Sequence, residues 1–225
     1  MHAITVLGNH LQLLPQKAIY IQQLKALLVS DVHLGKAETF QKHGVPIPNT
    51  LNQDSLDRLQ NICSEFELDY LFILGDLFHS KFALVDEVLD PWFKFVQNLN
   101  ASVQLVVGNH DRSLVPMLES LLIQCILDAI QINNLVLSHE PTSQPNCFNI
   151  CGHLHPCVRI KTKLDNLRLP CFYLDNSQNV LILPSFGAFT GSFEVAIAED
   201  TTAYVVAENS VIALNGKHHR PLKNR

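Results

Sequence analysis

Residues 25–36 read KALLVSDVHLGK, a short apolar run that passes without a break into Asp31-x-His33. The same arrangement recurs down the chain. Residues 70–74 (YLFIL) lead into Gly75-Asp76, residues 103–107 (VQLVV) into Gly108-Asn109-His110-Asp111, and residues 135–138 (LVLS) into His139. A fifth motif, Gly152-His153-Leu154-His155, follows. Unbroken apolar runs of this length are the pattern of strands buried on both faces. Between the first two, Thr50-x-x-Gln53 predicts a capping box, and Leu56, Leu59, Cys63 and Phe66 then recur at helical spacing. Phe93, Phe95 and Val96 predict a second helix that opens at Pro91. Alternation of strand and helix argues for an α/β fold. In an open sheet of that kind, ligands bind outside the carboxyl ends of the strands, so motifs far apart in sequence meet on one rim.

From residue 158 onward the pattern changes to successive hairpin-like strands (158–163, 171–174, 180–183, 193–198, 203–207 and 211–214), with Asn and Gly at the turns. The expected architecture is two packed mixed β-sheets flanked by helices. A chain of 225 residues, 47% hydrophobic and 16% charged, is not a disordered one and is long enough for a sizeable core. No linker or repeat divides it, so residues 1–216 read as one domain and the basic KHHRPLKNR of residues 217–225 as a tail. No apolar run approaches the roughly 18 residues of a membrane span, and MHAITVLGNH lacks the pattern of a secretory signal. A cytoplasmic protein without a membrane partner is therefore expected. Six cysteines without a C-x-x-C pair read as reduced thiols used for packing.

The polar motifs carry the chemistry. Asp31, His33, Asp76, Asn109, His139, His153 and His155 make seven ligand-type groups, too many for one tetrahedral site and enough for two metal ions if a carboxylate bridges. If D-x-H and H-x-H are extended, positions i and i+2 point the same way and each motif offers two groups to one centre. A pair of metals can hold a hydroxide between them for attack on phosphorus and clamp the attacking and leaving oxygens of an in-line displacement. Two divalent ions outweigh two aspartates, and the net positive centre suits an anionic phosphate ester. Any one of these residues alone would more often be a surface or satisfied core group. Their joint order is what makes them specific. Competing motifs fail: Ser30 and Ala37 spoil a P-loop around Lys36, Pro141 spoils H-E-x-x-H at His139, and Cys147, Cys151 and Cys157 match no zinc module.

DVHLGK, GDLFHS, GNHD, SHEP and GHLHP resemble the motif series of the calcineurin-like metallophosphoesterase superfamily. More narrowly, LLVSDVHLGKAETFQKHGVPIP (27–48) and LPSFGAFTGSFEV (183–195) resemble the ligase-associated DNA damage response endonucleases of the PdeM family. The genes of that family accompany an ATP-dependent DNA ligase, a helicase and an exonuclease. The resemblance implies an αββα sandwich in which Asp31, His33, Asp76 and His155 hold one metal. Asp76 as bridge, Asn109, His139 and His153 would hold the second. It also implies that His110 contacts the phosphate and protonates the leaving oxygen, a task suited to an imidazole. Mn²⁺ is the first choice of metal, with Fe, Zn, Ni or Co compatible with the same mixed N/O donors. GDLFH followed by GNHD is also similar to the nuclease subunit of the double-strand-break repair complex, in which the residue matching His79 affects how DNA is positioned, so His79 reads either as such a substrate contact or as a structural residue. The protein Ser/Thr phosphatases, with GDYVDRG and GNHE, and the UDP-diacylglucosamine hydrolases, with Arg in place of His110, match less well. Asp111 either orients His110 or caps the next turn.

Charge speaks to the substrate. The net charge of -5 gives no overall pull toward nucleic acid, and residues 54–90 hold nine acidic groups against Arg58 and Lys81. Past His155 the sign reverses: Arg159, Lys161 and Lys163 alternate with Val158, Ile160 and Thr162, so a strand there presents three cations on one face, either as substrate contacts beside the metals or as a solvated strand face. The leading expectation is a metal-dependent phosphodiesterase acting on single-stranded DNA as a repair endonuclease. The rival is a small-nucleotide or cyclic-nucleotide phosphodiesterase or phosphatase. The intact set of ligand-type residues and His110 argue against a scaffold that has lost catalysis.

Overall fold

A computed structural model describes the chain except for residues 48, 49, 162–165, 189 and 217–225. The predicted tail and Lys163 therefore lie outside the described residues. The first sheet runs β1 (His2–Val6), β2 (Asn9–Leu14), β3 (Ala18–Ile21), β4 (Ala26–Val29), β5 (Tyr70–Leu74), β6 (Ser102–Val106) and β7 (Gln124–Ile126), in that spatial order. Pairing is antiparallel from β1 to β4 and parallel from β4 to β7. The second sheet contains β8 (Ala129–Ile132), β9 (Leu135–Ser138), β10 (Phe148–Cys151), β11 (Pro156–Lys161), β12 (Asn166–Asp175), β13 (Val180–Ile182) and β14 (Phe193–Glu194). Its path is β14-β11-β12-β13-β10-β9-β8, and β15 (Thr201–Ala207) and β16 (Ser210–Asn215) join it through β12.

Two cores follow from the strand pleat. Leu28, Phe72 and Leu74 of the first sheet face Leu137, Ile150 and Phe172 of the second. Their neighbours Leu27, Val29, Leu71 and Ile73 turn the other way, against helices α2 (Thr50–Ser64) and α3 (Asp86–Asn98), where Leu56, Leu59, Val88, Trp92 and Phe95 are buried. This double burial is why the strands read as unbroken apolar runs. The architecture is the expected pair of mixed sheets with flanking helices. Among the described residues, the helices all precede residue 122. They include α1 (Lys36–Lys42), directly after the first motif, and the single turn α4 (Val115–Leu118).

Several expectations need correction. The second helix begins at Asp86, with Asp86 and Glu87 in its first turn, and Pro91 lies inside it. Acidic side chains favour a helix N-terminus, and they start the helix ahead of the proline. Thr50 is already helical, and the Gln53 amide donates to Asp57, one turn on, so no capping box is seen there. The strand expected over 193–198 is paired only at Phe193–Glu194. Strands β1 to β3, β7, β8 and β10 were not expected at all. In the β1–β2 hairpin, Leu7 (φ 43°) and Gly8 (φ 82°) make a two-residue turn with positive φ at both positions, without the Asn-Gly signature that flags such turns.

Candidate metal centre

Strands β4, β5, β6, β9 and β10 all deliver their motifs to one rim. Past the end of β4 the pairing with β5 continues as irregular rungs: the Asp31 N–H donates to the Gly75 carbonyl (3.1 Å) and the His33 N–H to the Asp76 carbonyl (2.9 Å). The motifs are not extended. Asp31, His33, Asp76, His153 and His155 all have left-handed backbone, with φ between 48° and 70°. Sharp left-handed bends, not the strand pleat, aim these side chains, and they carry backbone strain of the kind found at functional sites. Two glycines make the approach possible. A Cβ on Gly75 would lie 2.0 Å from His139 Nδ1, and one on Gly108 would lie 2.2 Å from Asp76 Oδ1.

The seven residues form two touching groups. Ligand-type atoms of Asp31, His33 and His155 lie within 4.8 Å of one another, as do those of Asp31, Asp76 and His139. His155 Nε2 is 3.1 Å from Asp31 Oδ1. Asp76 stands between the groups, with Oδ2 4.0 Å from His33 Nε2 and Oδ1 3.7 Å from His139 Nε2. Asn109 Oδ1 and His153 Nδ1 each lie 3.0 Å from His139 Nε2. The H-x-H motif is thus divided, His155 going to one group and His153 to the other.

Second partners fix the rings. Nδ1 of His139, His155 and His110 lies 3.0, 3.0 and 2.7 Å from the carbonyls of Leu74, Gly191 and His79. A carbonyl only accepts, so each Nδ1 carries a proton and each Nε2 points into the site. Asp31 Oδ1 and His155 Nε2 are both buried and lack hydrogen bonds although they face one another. Two acceptors in that position call for a cation between them, and the donor set of carboxylate, imidazole and amide oxygen fits divalent metal ions. Burial holds the His33 imidazole down at about 3, and burial together with Lys36 and His110 holds His79 at about 4. Both rings are neutral at pH 7, the form that ligates. Burial raises the Asp76 carboxyl, and Asp31 adds to the rise. Burial also pushes the Asp31 carboxyl up, but the nearby His155, with His139 and Ser30, outweighs it and leaves the group below the ordinary carboxylate range.

The remaining candidates separate. His79 belongs to the site: its ring stacks between His110 (5.1 Å, 21°) and Phe40 (6.1 Å, 9°) and meets His33 edge-on. Asp111 does neither thing expected of it. Its buried carboxylate accepts from the N–H groups of Leu77, Phe78 and Gly108, tying the Asp76 loop to the Asn109 loop. Arg159 and Lys161 are exposed on one face of β11, but Arg159 Nε donates to Glu194 (2.8 Å). The six cysteines are free; four are buried, and Cys125 and Cys147 are half-buried. Sequence reasoning missed the bracing of Asp31, whose carbonyl accepts from Ser185 Oγ (2.9 Å) and the Gly187 N–H (3.0 Å). Those residues stand in LPSFGAFTGSFEV, whose small and polar positions beside Phe186 were the only signal.

Residues 24–175 match the calcineurin-like phosphoesterase family model. The chain is similar to the crystal structure of nuclease MPE from Pseudomonas putida, with a TM-score of 0.80 and 33% identity, covering 94% of this chain and 99% of that one. It shares 21% identity with a protein of unknown function, AQ665 from Aquifex aeolicus, over 58% of this chain and 78% of that one, at a TM-score of 0.41. No curated protein matches.

Proposed function

Because the chain belongs to the calcineurin-like phosphoesterase family, we propose that this metallophosphoesterase is a phosphodiesterase that cuts DNA, acting as a repair endonuclease in the cytoplasm alongside an ATP-dependent ligase, a helicase and an exonuclease. The observation that carries hydrolysis is the buried, unbonded pair Asp31 Oδ1 and His155 Nε2 at the heart of the two groups. DNA as substrate is supported by the likeness to nuclease MPE and by the PdeM resemblance.

Asp31, His33, His155 and Asp76 would hold one ion, and Asp76, Asn109, His139 and His153 the other, with Mn²⁺ the first metal to test. When bound, two such ions supply Lewis acidity and an activated water. His110 then serves the leaving oxygen. Its Nδ1 is fixed on the His79 carbonyl, its Nε2 lies 3.9 Å from Asp76 Oδ2, and its side chain is 36% exposed, so a substrate can reach it. In the protonated form Nε2–H donates to the departing oxygen. His79, stacked on that ring, limits its rotation, and Asp111 keeps the two loops in register. Metal-loaded protein should cut single-stranded DNA circles and leave cyclic nucleotides intact. Turnover of cyclic nucleotides with circles untouched would replace this reading with the small-nucleotide one.

A further inference from the structure

Two clefts open beside the centre, and their charges differ. The cleft on the Asn109 and His139 side, about 270 Å³, has Arg112 at its wall but also Asp128 and Glu140. The cleft on the His155 side, about 220 Å³, has Lys17 and Arg168 and no carboxylate among its described residues, with Thr190 and Ser192 as further polar wall. Lys17 sits in the β2–β3 turn, where its Nζ donates to the Ser185 carbonyl (3.0 Å) and keeps two protons for another acceptor. Among the described residues no carboxylate pairs with it. Burial first, and Arg58 second, pull its pKa down to about 8, as expected of an ammonium that lacks a counter-charge. Arg168 has a carboxylate oxygen of Glu194 3.8 Å away, but that same oxygen is engaged at 2.8 Å by Arg159.

We propose that the Lys17 and Arg168 cleft is a second phosphate subsite, holding the phosphate adjacent to the scissile diester along a nucleic acid strand. This rests on the phosphodiesterase reading above and deepens it. His155 lines the cleft and also belongs to the ligand-type group, so a phosphate there lies beside the residues that would hold a metal. The opposite cleft, with two carboxylates, disfavours a phosphate, so the strand is sensed on one side of the cut.

Four chromogenic diesters test this on the metal-loaded full chain: thymidine 5′-(p-nitrophenyl phosphate) with and without a 3′-phosphate, and thymidine 3′-(p-nitrophenyl phosphate) with and without a 5′-phosphate. In one pair, the added phosphate should raise kcat/KM by about tenfold or more, mainly through KM, as charge-assisted phosphate contacts do. That gap should close to within about twofold in Lys17→Met and in Arg168→Ala, and Arg168→Glu should invert it. Arg168 is half exposed, so its variants keep the test open if Lys17→Met fails to fold. Nitrophenol release with no gap in either pair, or a gap that survives both substitutions, overturns the subsite alone. No release from any of the four overturns the phosphodiesterase reading together with it.

Discussion

His139 hangs on the carbonyl of Leu74, the last residue of β5, whereas Asp31 and His155 are held by an irregular segment near the other end of the chain. Ser185 Oγ, the Gly187 N–H and the Gly191 carbonyl supply that second set of contacts. The family match ends at residue 175, before any of them. The family's motifs thus bring ligand-type residues to the rim on both sides, while the rigidity of one side comes from a segment the match does not reach. The charge of the two clefts follows the same division, with carboxylates beside Asn109 and His139 and, among the described residues, none lining the cleft beside His155.

The comparison can be broken in graded steps. Asp76 touches both sides, so Asp76→Ala should release both metals and take hydrolysis to background while far-UV dichroism is kept; metal analysis showing two ions retained would remove its bridging role. The His110 backbone N–H donates to Asp76 and is kept on substitution, while its side chain braces neither side, so His110→Ala should leave metal content unchanged and lower turnover by about 10²–10⁴, the usual share of a positioned general acid. The loss should shrink for nitrophenyl leaving groups, which need no proton.

Ser185→Ala separates the sides. It should weaken one metal by about 10- to 100-fold, the cost of losing an outer partner, and leave the other bound, so that stoichiometry falls from two to one at limiting metal. Replacing Arg159 and Lys161 by Ala should make the slope of log K against log[salt] for single-stranded DNA shallower by about 0.7 per lost contact. Lys161 should carry more of this, because Arg159 is already engaged by Glu194. The smallest effect concerns Lys17. With its folded pKa at about 8 and the unfolded value at 10.5, the unfolded chain keeps a proton between those limits that the native protein releases. Stability of the wild type relative to Lys17→Met should therefore rise as pH goes from 8 to 10.5, and melting curves at the two limits would check the sign.

Much of the rim was legible because each ligand-type residue stands at or just past a strand end, and doubly buried strands announce themselves as apolar runs. Asp31, Asp76, Asn109 and His139 were placed on that logic alone. The left-handed bends were not legible, since Asp and His adopt them under tertiary constraint and not by propensity. Nor were the contacts of Lys17 and Ser185, whose partners lie 168 and 154 residues away. The onset of α3 was hidden by Pro91, and β10 by its shortness and the polar residues before it.

Trp92 is the chain's one tryptophan, fully buried on the inner face of α3, with its indole N–H on the Leu121 carbonyl at 3.0 Å. It also meets the ring of Phe78 at 6.1 Å, two residues beyond Asp76. The protein therefore carries an intrinsic fluorophore at the joint between its helical layer and its metal-side loop. A small change in emission at fixed wavelength on chelation, against a full red shift on denaturation, would distinguish local loosening from global unfolding in every variant above, without any added label.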